Sequence, residues 1–209
     1  GADIAIAGML EAEFENARRR VENEGAKCLC IKTDVSCESD VKSMVKQVSE
    51  SFGKIDILVN NAGINKLYPA EEMPLEVWNH IIGVNLTGMF LVSREAGLVM
   101  LKQGKGNIVN ITSMSGLVVN PLPQTQCAYN SSKAGTIMLT KCLAVEWAER
   151  GIRVNGIAPG FMNTPLTKKR LTTPNDPAVK KWLEGTPMNR VGEPEELVGL
   201  ALYLASDAA

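Results

Sequence analysis

The sequence predicts an α/β fold, a doubly wound parallel sheet in a single domain. Three observations predict it. Short apolar runs alternate with longer stretches of helical spacing along the chain. Those runs are nearly continuous rather than alternating, as parallel strands covered on both faces require. Small and polar residues follow several of the runs, at the strand ends where open sheets of this class bind ligands.

The elements follow in order. Residues 3–8, DIAIAG, form a short strand run, and residues 11–24 carry a charged helical pattern. KCLCIKTDV (27–35) is strand-like, after which residues 38–52 return to helical spacing through Val41, Val45 and Val48. IDILVNNAG (55–63) is β-rich. A long helical stretch then runs from about Pro74 to Lys102, with Pro74 suited to a first turn and Gly104 just past the end. GNIVNITS (106–113) is a further strand, the segment AYNSSKAG opens a helix reaching about Arg150, and IRVNGIAPG (152–160) is another strand. Residues 163–192 break the rhythm with Pro165, Pro174, Pro177 and Pro187, and read as a mobile lid or flap above one edge of the sheet. The pattern PEELVGLALYLASD (194–207) predicts a closing helix. Such a βαβ series implies right-handed crossovers.

With 209 residues, the chain suits one domain with a substantial core. Lys+Arg 22 against Asp+Glu 23 gives a net charge of −1, which argues against nucleic acid or an anionic membrane surface as the main partner. Arg94 and Glu95 interrupt the longest apolar stretch, so no membrane span is expected, and the opening GADIAIAG has no basic leader. Cys28, Cys30, Cys37, Cys127 and Cys142 lack zinc-type pairing and His80 is the sole histidine, so no metal site is expected. A reduced, cytoplasmic setting is expected for such cysteines.

Ligand-facing chemistry is sought where strands end. Asn60-Asn61-Ala62-Gly63 follows the third run, and its small residues allow a ligand to approach the backbone closely. Ser113 and Ser115 place hydroxyls after the fourth run, and Pro159-Gly160 leads to Thr164 after the fifth. Asn85 sits inside an apolar helical stretch, where its amide needs partners. Tyr129 and Lys133 stand four apart and share one helix face, about 6 Å along the axis. Each feature alone also suits an ordinary turn, core amide or solvated helix face.

Taken together, N-N-A-G at 60–63, Asn85 in N-x-x-G, Ser113 in S-x-x-G, Tyr129-x-x-x-Lys133, and Pro159-Gly160 with Thr164 occur in the order of the short-chain dehydrogenases/reductases. The chain resembles that family over essentially its whole length, which implies a Rossmann-like fold and a hydride-transferring oxidoreductase using NAD or NADP. The resemblance implies that Tyr129 is the general acid/base, its pKa (about 10 when free) lowered by the Lys133 ammonium and the cofactor's own charge. It implies that Lys133 also holds the nicotinamide ribose, that Ser113 donates to the substrate oxygen, and that Asn85 fixes a helix bend and a water linked to Lys133. Asp34 and Val35 would lie by the adenine, Asn60, Ala62 and Gly63 by the adenosine ribose, and Pro159, Gly160 and Thr164 around the nicotinamide. Relatives of this kind are commonly tetramers, packed through the helices that here run about 86–102 and 131–149.

Two departures from the family pattern qualify these expectations. The glycine-rich phosphate loop that follows the family's first strand is missing, because GADIAIAG matches the second strand. The final strand is missing too, so the whole protein is expected to be longer at both ends. A truncated, non-catalytic binding or structural protein is the competing class, and the intact Asn85, Ser113, Tyr129 and Lys133 argue against it. Ser113 and Tyr129 are also 16 apart, more than in many members, and the extra residues fall at the substrate mouth. Similar spacing occurs in relatives acting on polyols, ketoses and sugar acids, with Ser115, Gln124 and Gln126 as candidate substrate contacts. A 3-oxoacyl thioester is the alternative substrate class. Gly8 and Met9 stand where NAD-preferring relatives place an acid and NADP-preferring ones often an arginine, so weak discrimination or a lean toward NADP is expected.

Overall fold

The computed structural model describes residues 1–209. Strands and helices alternate as the patterns require: β1 (Ile4–Gly8), α1 (Glu11–Asn23), β2 (Cys28–Lys32), α2 (Glu38–Phe52) and β3 (Ile57–Asn60). Then come α3 (Leu75–Ile82), α4 (Met89–Gln103), β4 (Gly106–Ile111), α5 (Cys127–Trp147) and β5 (Ile152–Ile157). The chain finishes through α6 (Pro165–Leu171), α7 (Pro177–Glu184) and α8 (Val198–Ala205). The strands are shorter than the runs that mark them.

All pairings are parallel, but the strands form two sheets, β1-β2 and β3-β4-β5. β1 and β3 do not pair, and both line a cavity of ≈ 1820 Å³. Ile57 and Val59 are therefore exposed. The opening falls where the family resemblance places a further central strand.

β4 is the buried centre of the larger sheet. Ile108 and Val154 pack with Met100, Leu143, Trp147 and Ile152 on one side. In an adjoining cluster, Val41, Val45 and Val48, the stripe read in the sequence, meet Ile31, Leu91 and Val92, and α4 contributes to both clusters. Gly104 and Gly151 both adopt left-handed backbone (φ 68° and 79°), and a Cβ on Gly151 would collide with the Gly104 carbonyl. Their close approach joins the end of α4 to the start of β5.

Two expectations are corrected here. Leu75–Gln103 forms one continuous helical run of 29 residues, long and apolar enough by composition to cross a membrane despite Arg94 and Glu95. Half of its most apolar window is buried, and its Leu91, Val92, Ala96 and Met100 belong to the core, so its hydropathy is that of a packed helix. Pro74 stands just before α3 rather than within its first turn. Residues 163–192, read as a lid or flap, contain α6 and α7 and are joined at their ends by a bridge between Met162 and Gly192. Proline opens both helices, and Asp176 caps α7 by accepting from the Ala178 and Val179 amides.

Candidate active site

Parallel strands bring their carboxyl ends to one edge, and the motif residues collect there. α5 places Tyr129 and Lys133 on one face, with Lys133 Nζ 5.8 Å from the centre of the Tyr129 ring. Lys133 is 4% exposed and donates to the Ile111 carbonyl at 3.0 Å, at the end of β4. Its other two ammonium protons have no partner in the protein, and Lys133 lines the cavity that Tyr129, Ser113 and Gly63 also line. Ser113 Oγ accepts from the Ser115 amide (3.1 Å), which leaves the Ser113 hydroxyl proton free to donate.

Asn85 lies within a π-helical turn, Gly83–Gly88, between α3 and α4. Such a turn is a local irregularity often found at functional sites. The amide is fully buried: Oδ1 accepts from the Ile64 N–H (2.8 Å), and Nδ2 donates to the Ile64 carbonyl (3.0 Å) and to Ser132 Oγ (3.0 Å). Asn85 thereby ties the loop after β3 to α5 beside Lys133. A Cβ on Gly63 would lie 3.6 Å from Asn85 Oδ1 and 3.7 Å from Lys133 Nζ, so the glycine keeps this wall of the cavity low.

Gly116 closes the S-x-x-G turn directly on α5. A Cβ there would meet the Lys133 carbonyl carbon at 2.6 Å and the Ala134 nitrogen at 2.7 Å, both rigid backbone atoms. Gly116→Ala is therefore expected to push the Ser113 turn away from Tyr129. It should cost about 1–3 kcal/mol of stability and lower kcat at least tenfold, measured by thermal unfolding and steady-state kinetics.

In the protein by itself the Tyr129 phenol is shifted upward. Burial raises its phenol above the ordinary 10.0, and a hydrogen bond with Ser113 opposes that only in part. The Lys133 ammonium sits over the ring and is itself drawn down from 10.5 to about 8 by burial. Desolvation thus works on both groups, and the pair alone does not generate a phenolate.

The remaining candidates divide. Asn60 Nδ2 is spent inside the fold, on Ser93 Oγ and Asn110 Oδ1 (both 2.9 Å), while Ala62 and Gly63 stay exposed along the cavity. Asp34 Oδ1 accepts from the Ser36 hydroxyl (2.6 Å) and amide (2.9 Å), which holds its carboxyl below the ordinary range. Val35 packs against Gly88, where a Cβ would meet its side chain at 2.8 Å. Pro159 accepts from the Met114 amide (3.0 Å), joining the turns after β4 and β5, and Gly160 and Thr164 line the same cavity.

Ser115, Gln124 and Gln126 are brought together, but with one another. Ser115 Oγ donates to Asn120 Oδ1 (2.7 Å), Gln124 Nε2 to Gln126 Oε1 (2.8 Å), and Gln126 Nε2 to Asn120 Oδ1 (2.8 Å). Sequence reasoning missed Asn65, Asn120, Asn130, Phe161 and Trp182. The only signal was the density of amides around the Tyr129 segment. Trp182 is 2% exposed, stacks on Phe161 (centroids 4.6 Å, planes 13° apart) and donates to Gln124 Oε1 at 2.8 Å.

A family model described as enoyl-(acyl-carrier-protein) reductase matches residues 1–209. The chain is 45% identical over 161 residues to the galactitol 2-dehydrogenase (L-tagatose-forming) of Cereibacter sphaeroides, covering 77% of this chain and 62% of that relative. It is 39% identical over 185 residues to a 3-oxoacyl-[acyl-carrier-protein] reductase of Synechocystis sp., covering 88% of this chain and 71% of that relative. Among solved structures, gox2181 superposes with a TM-score of 0.94 at 41% identity, over 100% of this chain and 80% of that one. An NAD+-bound xylitol dehydrogenase gives 0.90 at 31% identity, over 99% and 83% of the two chains. A gluconate 5-dehydrogenase from Burkholderia cenocepacia J2315, in complex with NADP and tartrate, gives 0.89 at 34%, over 99% and 79%. The chain belongs to the short-chain dehydrogenase/reductase family.

Proposed function

We propose that the protein transfers a hydride between NAD(P)(H) and the secondary alcohol or ketone of a polyol, ketose or sugar acid. The observation that carries this reading is the convergence of Tyr129, Lys133 and Ser113 on one cavity, braced by buried Asn85. The nicotinamide cofactor supplies or takes the hydride when bound. The residues present suit it: Lys133 has two uncommitted donors, and Gly63 leaves the adjoining wall without a side chain. Asp34, Val35, Ala62, Pro159, Gly160 and Thr164 extend that wall. In the reducing direction Tyr129, kept protonated by burial, gives its proton to the carbonyl oxygen while Ser113 donates a hydrogen bond to the same atom. The segment 163–192 serves as the lid. The relatives named for galactitol, xylitol and gluconate support the substrate class. Turnover of a panel of polyols, ketoses and sugar acids with both cofactors, read by absorbance of the reduced form, tests the reading.

The second reading, a 3-oxoacyl thioester reductase, rests on the Synechocystis relative. The same panel separates the two when a 3-oxoacyl thioester is included.

Cofactor choice gives a further expected result. Gly8 ends β1 in open space, with nothing within 4 Å of where a Cβ would stand, and the following Met9 and Leu10 are 55% and 64% exposed. No carboxylate follows β1 directly to bond an adenosine 2′-hydroxyl. The kcat/KM values for NAD and NADP should lie within about tenfold of each other or favour NADP, since that one missing charged hydrogen bond is worth about 1.5–3 kcal/mol. A strong preference for NAD overturns this. Association of copies through α4 and α5 is part of the same proposal, supported by exposed Phe90, Leu98, Met138 and Val145 on those helices.

A further inference from the structure

A single donor fixes the polarity of a chain of amides that ends at the candidate active site. The Trp182 indole nitrogen can only donate, so the Gln124 atom 2.8 Å from it is the oxygen. Gln124 therefore turns its nitrogen toward Gln126, which must answer with Oε1 (2.8 Å). The same oxygen accepts from Asn65 Nδ2 at 2.9 Å. Gln126 Nε2 is then committed to Asn120 Oδ1 (2.8 Å) and Asn130 Oδ1 (2.9 Å). Flipping any one amide would set oxygen against oxygen or nitrogen against nitrogen along the chain. Gln126 itself is 5% exposed and has no spare hydrogen-bonding group.

The group left over is Asn65 Oδ1. It is buried and has no hydrogen-bond partner in the protein. Asn65 lines the same cavity as Ser113 and Tyr129. A buried acceptor without a donor is unfavourable, and an O–H or N–H is the chemistry that satisfies it.

We propose that Asn65 Oδ1 accepts a hydroxyl of the substrate, so that the site selects a hydroxylated carbon chain, with Trp182 fixing the polarity of this subsite through Gln124 and Gln126. The inference rests on the functional reading above and deepens it, because it separates the two substrate classes. A polyol, ketose or sugar acid offers hydroxyl donors along its chain. The acyl part of a 3-oxoacyl thioester offers carbonyl acceptors there, and acceptor against acceptor repels.

The test compares the best polyol or ketose from the panel with its mono-deoxy analogues, in wild type, Asn65→Leu and Gln124→Glu. The carboxylate introduced by Gln124→Glu can still accept from Trp182 but cannot donate to Gln126. This near-isosteric change therefore breaks the polarity while sparing Asn65. Wild type should favour the hydroxylated compound over one of its deoxy analogues by about 10- to 100-fold in kcat/KM, the range for a hydrogen bond read by a buried partner. In Asn65→Leu that ratio should fall to within about threefold, mostly through KM for the hydroxylated compound, and Gln124→Glu should reduce it to an intermediate value. Equal losses for both compounds, or a ratio unchanged in both variants, overturn the inference and leave the functional reading standing. Turnover of the 3-oxoacyl thioester without any polyol, ketose or sugar acid overturns both.

Discussion

Tyr129→Phe is expected to lower turnover by about 10²–10⁴ with the fold intact, the range for removing a positioned general acid/base. The substitution keeps the ring and deletes only the hydroxyl. That hydroxyl is held in a desolvated place, with burial keeping its proton on and Ser113 as its hydrogen-bonding neighbour. The loss should appear in kcat rather than in cofactor affinity, because the neighbouring ammonium stays anchored to the Ile111 carbonyl. Steady-state kinetics on the best panel substrate, with circular dichroism to check folding, measures it. A variant that retains most of the wild-type turnover reduces Tyr129 and Lys133 to residues that share a helix face.

Lys133→Met should be comparably damaging to turnover while making the cofactor-free protein more stable. The two effects have one origin. Burial draws the ammonium from 10.5 to about 8, so between those pH values the unfolded chain holds a proton that the folded chain has released. Stability owed to this residue therefore rises with pH across that window. Below about 8 the folded state carries the full penalty of a buried charge, about 3 kcal/mol at 1.36 kcal/mol per unit. Methionine removes the charge but leaves the Ile111 carbonyl without its donor, which costs about 1 kcal/mol. The variant should thus gain on the order of 1–2 kcal/mol at pH 7 and lose that advantage by about pH 10.5. Denaturant titrations at the two pH values measure it. Turnover falls because the cavity loses its cation, and in the oxidising direction, where Tyr129 must accept a proton, it should recover in part as pH rises, when hydroxide assists ionisation of Tyr129. Equal stability of the two proteins at both pH values would show that the lysine is solvated rather than desolvated.

Much of the site was legible because it is local. Tyr129 and Lys133 are one helical turn apart, and Ser113, Pro159 and Gly160 follow strand runs whose parallel direction brings their ends to one edge. Asn85 stood out as an amide in an apolar helix, and its burial bears out the need for partners. What was not legible depends on distant neighbours. Gln124 and Gln126 looked like free polar groups at a mouth, yet Trp182, 58 residues along the chain, claims the first, and the second is spent on Asn65, Asn120 and Asn130. Arg94 looked like a break in an apolar stretch, but it pairs with Glu38 and Glu95 at the surface while the opposite face of α4 enters the core.

By itself, then, the sequence determined the order of strands and helices, the edge at which small and polar residues gather, and the helix that carries Tyr129 and Lys133. These follow from periodicity, turn chemistry and spacing, which act over a few residues. Only the tertiary structure decided that desolvation raises the Tyr129 pKa and lowers that of Lys133, and that Asn65 rather than Gln126 keeps an unpaired acceptor. Burial and hydrogen-bond polarity are set by what packs alongside, and those neighbours come from segments far apart in the chain.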